Sequence, residues 1–124
     1  MRSTPENITE LEPNEVFVFG SNVLGHHAGG AARTACHSFG AEWGVGEGMT
    51  GRCYAFPTLD AHFKKRIVKE LKESMTKFVE TVKANTDKTF LLTKVGCGIA
   101  GYDEKDMIVL FKYAPSNVIK PLGW

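Results

Sequence analysis

The stretch Glu15-Val16-Phe17-Val18-Phe19-Gly20-Ser21-Asn22-Val23-Leu24-Gly25-His26-His27-Ala28-Gly29-Gly30-Ala31-Ala32 decides the fold. Its opening run, Glu15 to Phe19, is β-branched and aromatic with no polar alternation. That pattern predicts a strand buried on both faces, the kind found inside parallel sheets. The strand ends at Gly20 and runs through a glycine-rich loop. From Gly30 to Phe39 the spacing of Ala31, Ala32, Ala35 and Phe39 predicts a helix with a small-residue face, and Gly40 is placed to cap it.

The same alternation continues along the chain. Arg52 to Phe56 reads as a second strand, stopped by Pro57. From His62 to Ala84 the residues Phe63, Ile67, Leu71, Met75, Phe78 and Val82 recur three and four apart, which predicts an amphipathic helix closed by Asn85. Thr89 to Val95 is a third strand, entering the turn Gly96-Cys97-Gly98-Ile99-Ala100-Gly101. Asp103 then caps a last helix carrying Met107, Ile108, Leu110 and Phe111, and Ser116 to Ile119 reads as a closing strand. Residues 1 to 14 are polar and read as a leader or a short edge strand. Strands alternating with helices predict an α/β fold: a small three-layer domain with a mixed, mostly parallel sheet flanked by helices, spanning residues 1–124. A small flavodoxin-like sandwich is the competing architecture. Both glycine clusters leave the C-terminal end of a strand and enter a helix, the edge at which open α/β sheets hold ligands.

Composition narrows the classes. At 124 residues the chain forms one domain, and its net charge of +1 excludes a strongly basic nucleic-acid wrapper. No apolar run approaches the roughly 18 residues of a membrane span, so no membrane partner is expected. The three cysteines, Cys36, Cys53 and Cys97, have no CxxC spacing and read as free thiols of a reducing, cytoplasmic compartment.

Several motifs offer candidate chemistry. Gly46-Glu47-Gly48-Met49-Thr50-Gly51 matches GxGxxG as a string, but a strand follows where a dinucleotide fingerprint needs a helix, so it reads as a flexible loop. No Gly-Lys-Ser/Thr sequence is present, and no cofactor is expected. His26 and His27 are adjacent, with no carboxylate at ligand spacing, so no metal site is expected. Cys97 sits between glycines and reads either as a small side chain in a tight turn or as a nucleophile at a helix start. Lys64, Lys65, Arg66, Lys69 and Lys72 form a basic cluster interleaved with Glu70 and Glu73: a solvated face, or a surface for nucleic acid or protein.

Taken together, the two glycine loops and the segment Phe56-Pro57-Thr58 resemble the macrodomain superfamily, and within it the branch of terminal ADP-ribose glycohydrolases and DNA de-ADP-ribosylating antitoxins. Small macro-like proteins of phages and bacteria share the layout, and the likeness runs from about Glu15 to Phe111. The resemblance implies binding of ADP-ribose or a related NAD-derived nucleotide in a cleft between the loops. It implies a binding set of Gly20, Ser21, Asn22, Gly25, His27, Gly29, Gly30 and Ala31 from the first loop, with Thr58. From the second loop it implies Gly96, Cys97, Gly98, Ile99, Ala100, Gly101 and Tyr102. Within that set Asn22 would orient the distal ribose, the glycines would bring backbone amides to the diphosphate, and Tyr102 would pack near the ribose. Two positions depart from the branch: Leu59 stands where it has a lysine, and Ala100 where some members have an acid. Neither side chain can attack or take a proton. Asn22, Asp60 and Asp103 are then the catalytic candidates for an alternative activity as an ADP-ribosyl hydrolase.

Overall fold

A computed structural model of the chain describes residues 2–98 and 100–124. Strands β1 (Glu15–Asn22), β2 (Gly48–Thr50), β3 (Cys53–Leu59), β4 (Thr89–Leu92) and β5 (Val118–Ile119) form one sheet in the order β2-β3-β1-β4-β5. Strand β1 runs parallel to both β3 and β4, and β5 runs parallel to β4; only β2 is antiparallel. Helix α1 (Gly30–Ser38) covers one face. Helices α2 (Val68–Ala84) and α3 (Glu104–Leu110) cover the other. The α/β three-layer architecture is therefore the one the sequence predicts.

The two faces differ because the strands alternate size. Phe17 and Phe19 of β1 and the small Cys53 and Ala55 of β3 point to one side, where Ala32 and Ala35 let α1 sit close. Val16, Val18, Tyr54, Phe56, Phe90 and Leu92 point to the other and pack against Leu71, Phe78 and Val82 of α2 and Met107 of α3. Burial between helix and sheet pushes the Cys53 thiol up to about 12. Cys36, Cys53 and Cys97 are all free.

Several boundaries differ from the sequence reading: β1 runs past Gly20 to Asn22, and β5 is only Val118–Ile119. Pro57 does not stop β3, which runs on to Leu59. At Pro57 the neighbour on one side is β1, and β2 ends its pairing at Ala55, so no ladder bond requires the missing N–H. The segment 46–51 is not simply a loop, since Gly48–Thr50 pairs with β3 as the edge strand β2. Helix α2 starts at Val68 rather than His62: Ile67 is extended (φ −72, ψ 158), and its amide donates to the Glu70 carboxylate at 3.3 Å. Phe63 and Ile67, expected in the core, are 53% and 63% exposed. Strand β4 is shorter than expected and ends at Leu92.

The N-terminal segment is laced to the sheet rather than left free. Thr4 forms an isolated parallel bridge with Pro121, and its hydroxyl donates to the Ile119 carbonyl at 2.7 Å. Arg2 pairs with Glu15. Burial pushes the Glu15 carboxyl up, but Arg2, the Glu12 amide and Arg52 outweigh it and hold it below its ordinary value of 4.5. A carboxyl lowered in the folded state adds stability above its unfolded pKa, and loses it as pH falls through the folded value. Thermal melts from neutral to acid pH should show Glu15→Gln less stable than wild type at neutrality. The two proteins should begin to converge below the unfolded glutamate pKa of about 4.3 and meet once pH passes the lower folded value. Parallel curves would contradict this role.

Candidate functional site

Because β3, β1 and β4 are parallel, their C-terminal ends lie on one edge of the sheet, and both glycine loops open there. Between them lies a cleft of about 630 Å³. Of the residues expected to bind, Gly20, Ser21, Asn22, Gly29, Gly30, Ala31, Thr58, Gly96, Gly98 and Ala100 line it. Asn22 and Gly98, far apart in sequence, share this one cavity.

The first loop is pinned from within. Asn22 Nδ2 donates to the His26 carbonyl at 3.0 Å, and Asn22 Oδ1 accepts from the His26 amide at 3.0 Å. The Ser21 hydroxyl donates to the Gly46 carbonyl, and Thr58 Oγ1 donates to the Ser21 carbonyl at 3.3 Å. At Gly25 an added Cβ would stand 2.4 Å from the Gly44 carbonyl carbon, so these two backbone segments can touch only through glycine. The loop delivers the chain into α1, which starts at Gly30 (φ +60) without a side-chain cap or an acidic residue in its first turn. Uncapped first-turn amides at the positive end of a helix favour an anion. Among the described residues, the one lysine or arginine lining the cleft is Lys94, which also pairs with Glu104 at 3.5 Å.

On the second loop the strongest clue is Gly98. Its φ lies outside the left-handed region, and an added Cβ would meet nothing within 4 Å. Neither backbone conformation nor packing calls for glycine there. It is exposed at the cleft lining, so bare backbone stands there where a side chain would fit.

Other expected site residues serve the frame. His27 is 2% exposed; its Nε2 lies 2.9 Å from the Glu42 carbonyl and its ring meets Phe19 edge-on at 5.2 Å. Gly25, Cys97, Gly101 and Tyr102 do not line the cleft. The Tyr102 hydroxyl instead reaches the carbonyls of Thr58 at 2.9 Å and Arg66 at 2.7 Å, bracing the end of β3. Burial, reinforced by the Glu104 carboxylate, raises the Cys97 thiol pKa, the reverse of what a nucleophile needs. Ile99 lies outside the described residues.

Neither aspartate reaches the cleft lining. Asp60 Oδ1 accepts from the amides of Lys64 at 3.0 Å and His62 at 2.8 Å, and these bonds hold its carboxyl below the usual range. It locks a turn. Asp103 is exposed at the start of α3. In the basic cluster Arg66 turns inward, donating to the Pro57 carbonyl at 2.8 Å and to Ser74 Oγ at 2.7 Å.

The sequence reading missed His26, Ala28, Ala32, Trp43, Leu59, Phe63, Thr93, Lys94 and Val95 as lining residues. Trp43 had a readable signal, a large ring in a glycine-rich stretch with no core to enter, whereas the apolar periodicity assigned Phe63 to a helix face. Among the described residues no group of three or more His, Cys, Asp or Glu is placed to hold a metal ion, and no helix is long and apolar enough to cross a membrane. Comparison of the chain with family models, with curated proteins and with solved structures returns no match.

Proposed function

We propose that the protein binds ADP-ribose or a closely related NAD-derived nucleotide in this cleft. The observation that carries the reading is Gly98, a cleft-lining glycine that folding does not require, facing a loop that ends in uncapped helix amides. A diphosphate needs several N–H donors at close range, and bare backbone at a helix start supplies them without obstruction. Lys94 adds a positive charge. The volume of about 630 Å³ suits a ligand of dinucleotide size. The resemblance of both loops to those of macrodomains points the same way. The three free thiols fit a reducing, cytoplasmic setting.

Binding is favoured over hydrolysis by the lining itself. Among the described residues that face the cleft there is no carboxylate and no thiol, and Leu59 stands where the resembling branch has its lysine. Titration calorimetry with ADP-ribose, NAD and ADP, followed by product analysis, tests the reading. Saturable binding of at least one of them without turnover is expected. Release of free ADP-ribose from a modified substrate would select the hydrolase instead, and no binding to any would overturn the reading.

Asn22 gives a finer check. Both ends of its amide are engaged by the His26 backbone, so Asn22→Ala should cost about 1–2 kcal/mol of stability in urea melts through the lost loop bonds. Nucleotide affinity should fall with it, because His26 and the loop lose their anchor. Unchanged stability would contradict the pinning role.

A further inference from the structure

Three aromatic side chains line the cleft where the ends of β1 and β3 meet, and the backbone that carries each is anchored by a different device. His26 is held by the two backbone bonds to Asn22. Trp43 lies between Glu42, whose amide donates to Thr50 Oγ1 at 2.7 Å, and Gly44, whose amide donates to the Gly25 carbonyl at 2.9 Å. Phe63 sits at φ +60, the one positive-φ residue other than glycine among those described. Its turn is closed by the Phe63 amide donating to the Asp60 carbonyl at 3.0 Å, and the Asp60 amide donating to the Lys64 carbonyl at 2.8 Å.

The backbone beneath these rings is anchored, yet the rings are not buried. Trp43 is 59% exposed and Phe63 53%. His26 stacks on Trp43 at 5.0 Å with an interplanar angle of 15°, and Phe63 stands 6.0 Å from His26. A bulky residue in the left-handed region is strained, and here the strain is not offset by burial in the core. Strain that displays a side chain into a cavity is a mark of a binding surface.

We infer that Trp43, His26 and Phe63 form a stacking platform for a planar heteroaromatic ring carried by the bound nucleotide, either a purine base or a nicotinamide. This rests on the nucleotide reading of the cleft and adds to it a subsite built from these three rings beside Leu59. Base-to-aromatic stacking is tolerant of ring identity and adds affinity without hydrogen bonds. The platform gives the ring of the nucleotide an apolar contact, whereas the uncapped α1 amides suit its charge.

Intrinsic fluorescence separates the two readings. Adenosine and nicotinamide riboside present the ring without a diphosphate; ribose 5-phosphate presents phosphate without a ring. At least one nucleoside should quench the wild-type protein, with the quench absent in Trp43→Phe, and the nucleoside that does so identifies the ring. Ribose 5-phosphate should bind without quenching. Trp43→Ala and Phe63→Gly should weaken nucleoside and ADP-ribose or NAD binding by about tenfold or more. Both should leave ribose 5-phosphate unaffected. Phe63→Gly, relieved of its left-handed strain, should melt no lower than wild type, so its loss of affinity is not a loss of fold. ADP-ribose or NAD binding without quench and at full affinity in both variants would overturn the platform and leave the cleft reading standing. Nucleoside quenching with no binding of either diphosphate ligand would uphold the platform and overturn the cleft reading. Silence from every probe would overturn both.

Discussion

A Gly98→Glu protein is expected to lose most of its ADP-ribose affinity while melting with the wild type. The fold has no use for glycine at this position: the φ is ordinary, and a Cβ there would meet nothing within 4 Å. The substitution therefore adds neither strain nor a clash, which is rare for a loop glycine. What changes is the cleft. A carboxylate projecting from Gly98 would share the cavity with the uncapped amides of α1 and with Lys94, and would stand as a built-in competitor to a diphosphate. Like charges brought together cost several kcal/mol, so affinity should drop by more than about 100-fold. Gly98→Lys fills the same space with the opposite charge and should retain binding. Calorimetry on the two variants, beside melting curves, checks both halves of the expectation. Wild-type affinity in Gly98→Glu would remove the second loop from the site. Gly30 would be a poorer place for this test, because any side chain at φ +60 is strained whatever it does to the ligand.

The largest stability effect should come from Phe78→Ala. Phe78 is fully buried and meets four aromatic rings: Tyr54 at 4.9 Å, Phe90 and Phe111 at 6.0 Å, and Phe56 at 6.1 Å. It joins α2 to β3, β4 and the end of α3 at once. Stiff rings collapse poorly into a void, so truncation should sit at the costly end for a core aromatic, about 3–5 kcal/mol. Against a typical domain stability of about 5–15 kcal/mol, that loss brings the protein close to unfolding at physiological temperature. Urea denaturation should show a lowered midpoint with an unchanged slope. A loss below about 1 kcal/mol would mean that the surrounding rings repack freely.

Phe63 and Phe78 lie in the same periodic apolar series, and their different fates mark what periodicity can convey. Spacing alone extends a helix from His62 to Ala84. It records which residues would share a face if the backbone were helical throughout. It cannot register that Asp60 captures the amides of His62 and Lys64 and closes a separate turn, because that competition is decided by local hydrogen bonds. Pro57 failed as a stop signal for a similar reason. Proline disrupts a strand only where its N–H is needed, and whether a neighbour needs it depends on where β2 ends.

Strand and helix order, the buried faces of β1 and β3, and the α/β class were legible in the chain itself, since side-chain alternation and apolar runs are local properties. So were the two glycine loops and the edge on which they open, because parallel strands put their C-terminal ends together. Only the tertiary structure separated glycines by purpose. Gly25 permits two backbones to touch, Gly30 turns the chain into α1, and Gly98 leaves space over a cavity; in the sequence all three are the same letter. The aromatic rim was equally hidden: Trp43, His26 and Phe63 come from three loops, and only the folded backbone sets them side by side.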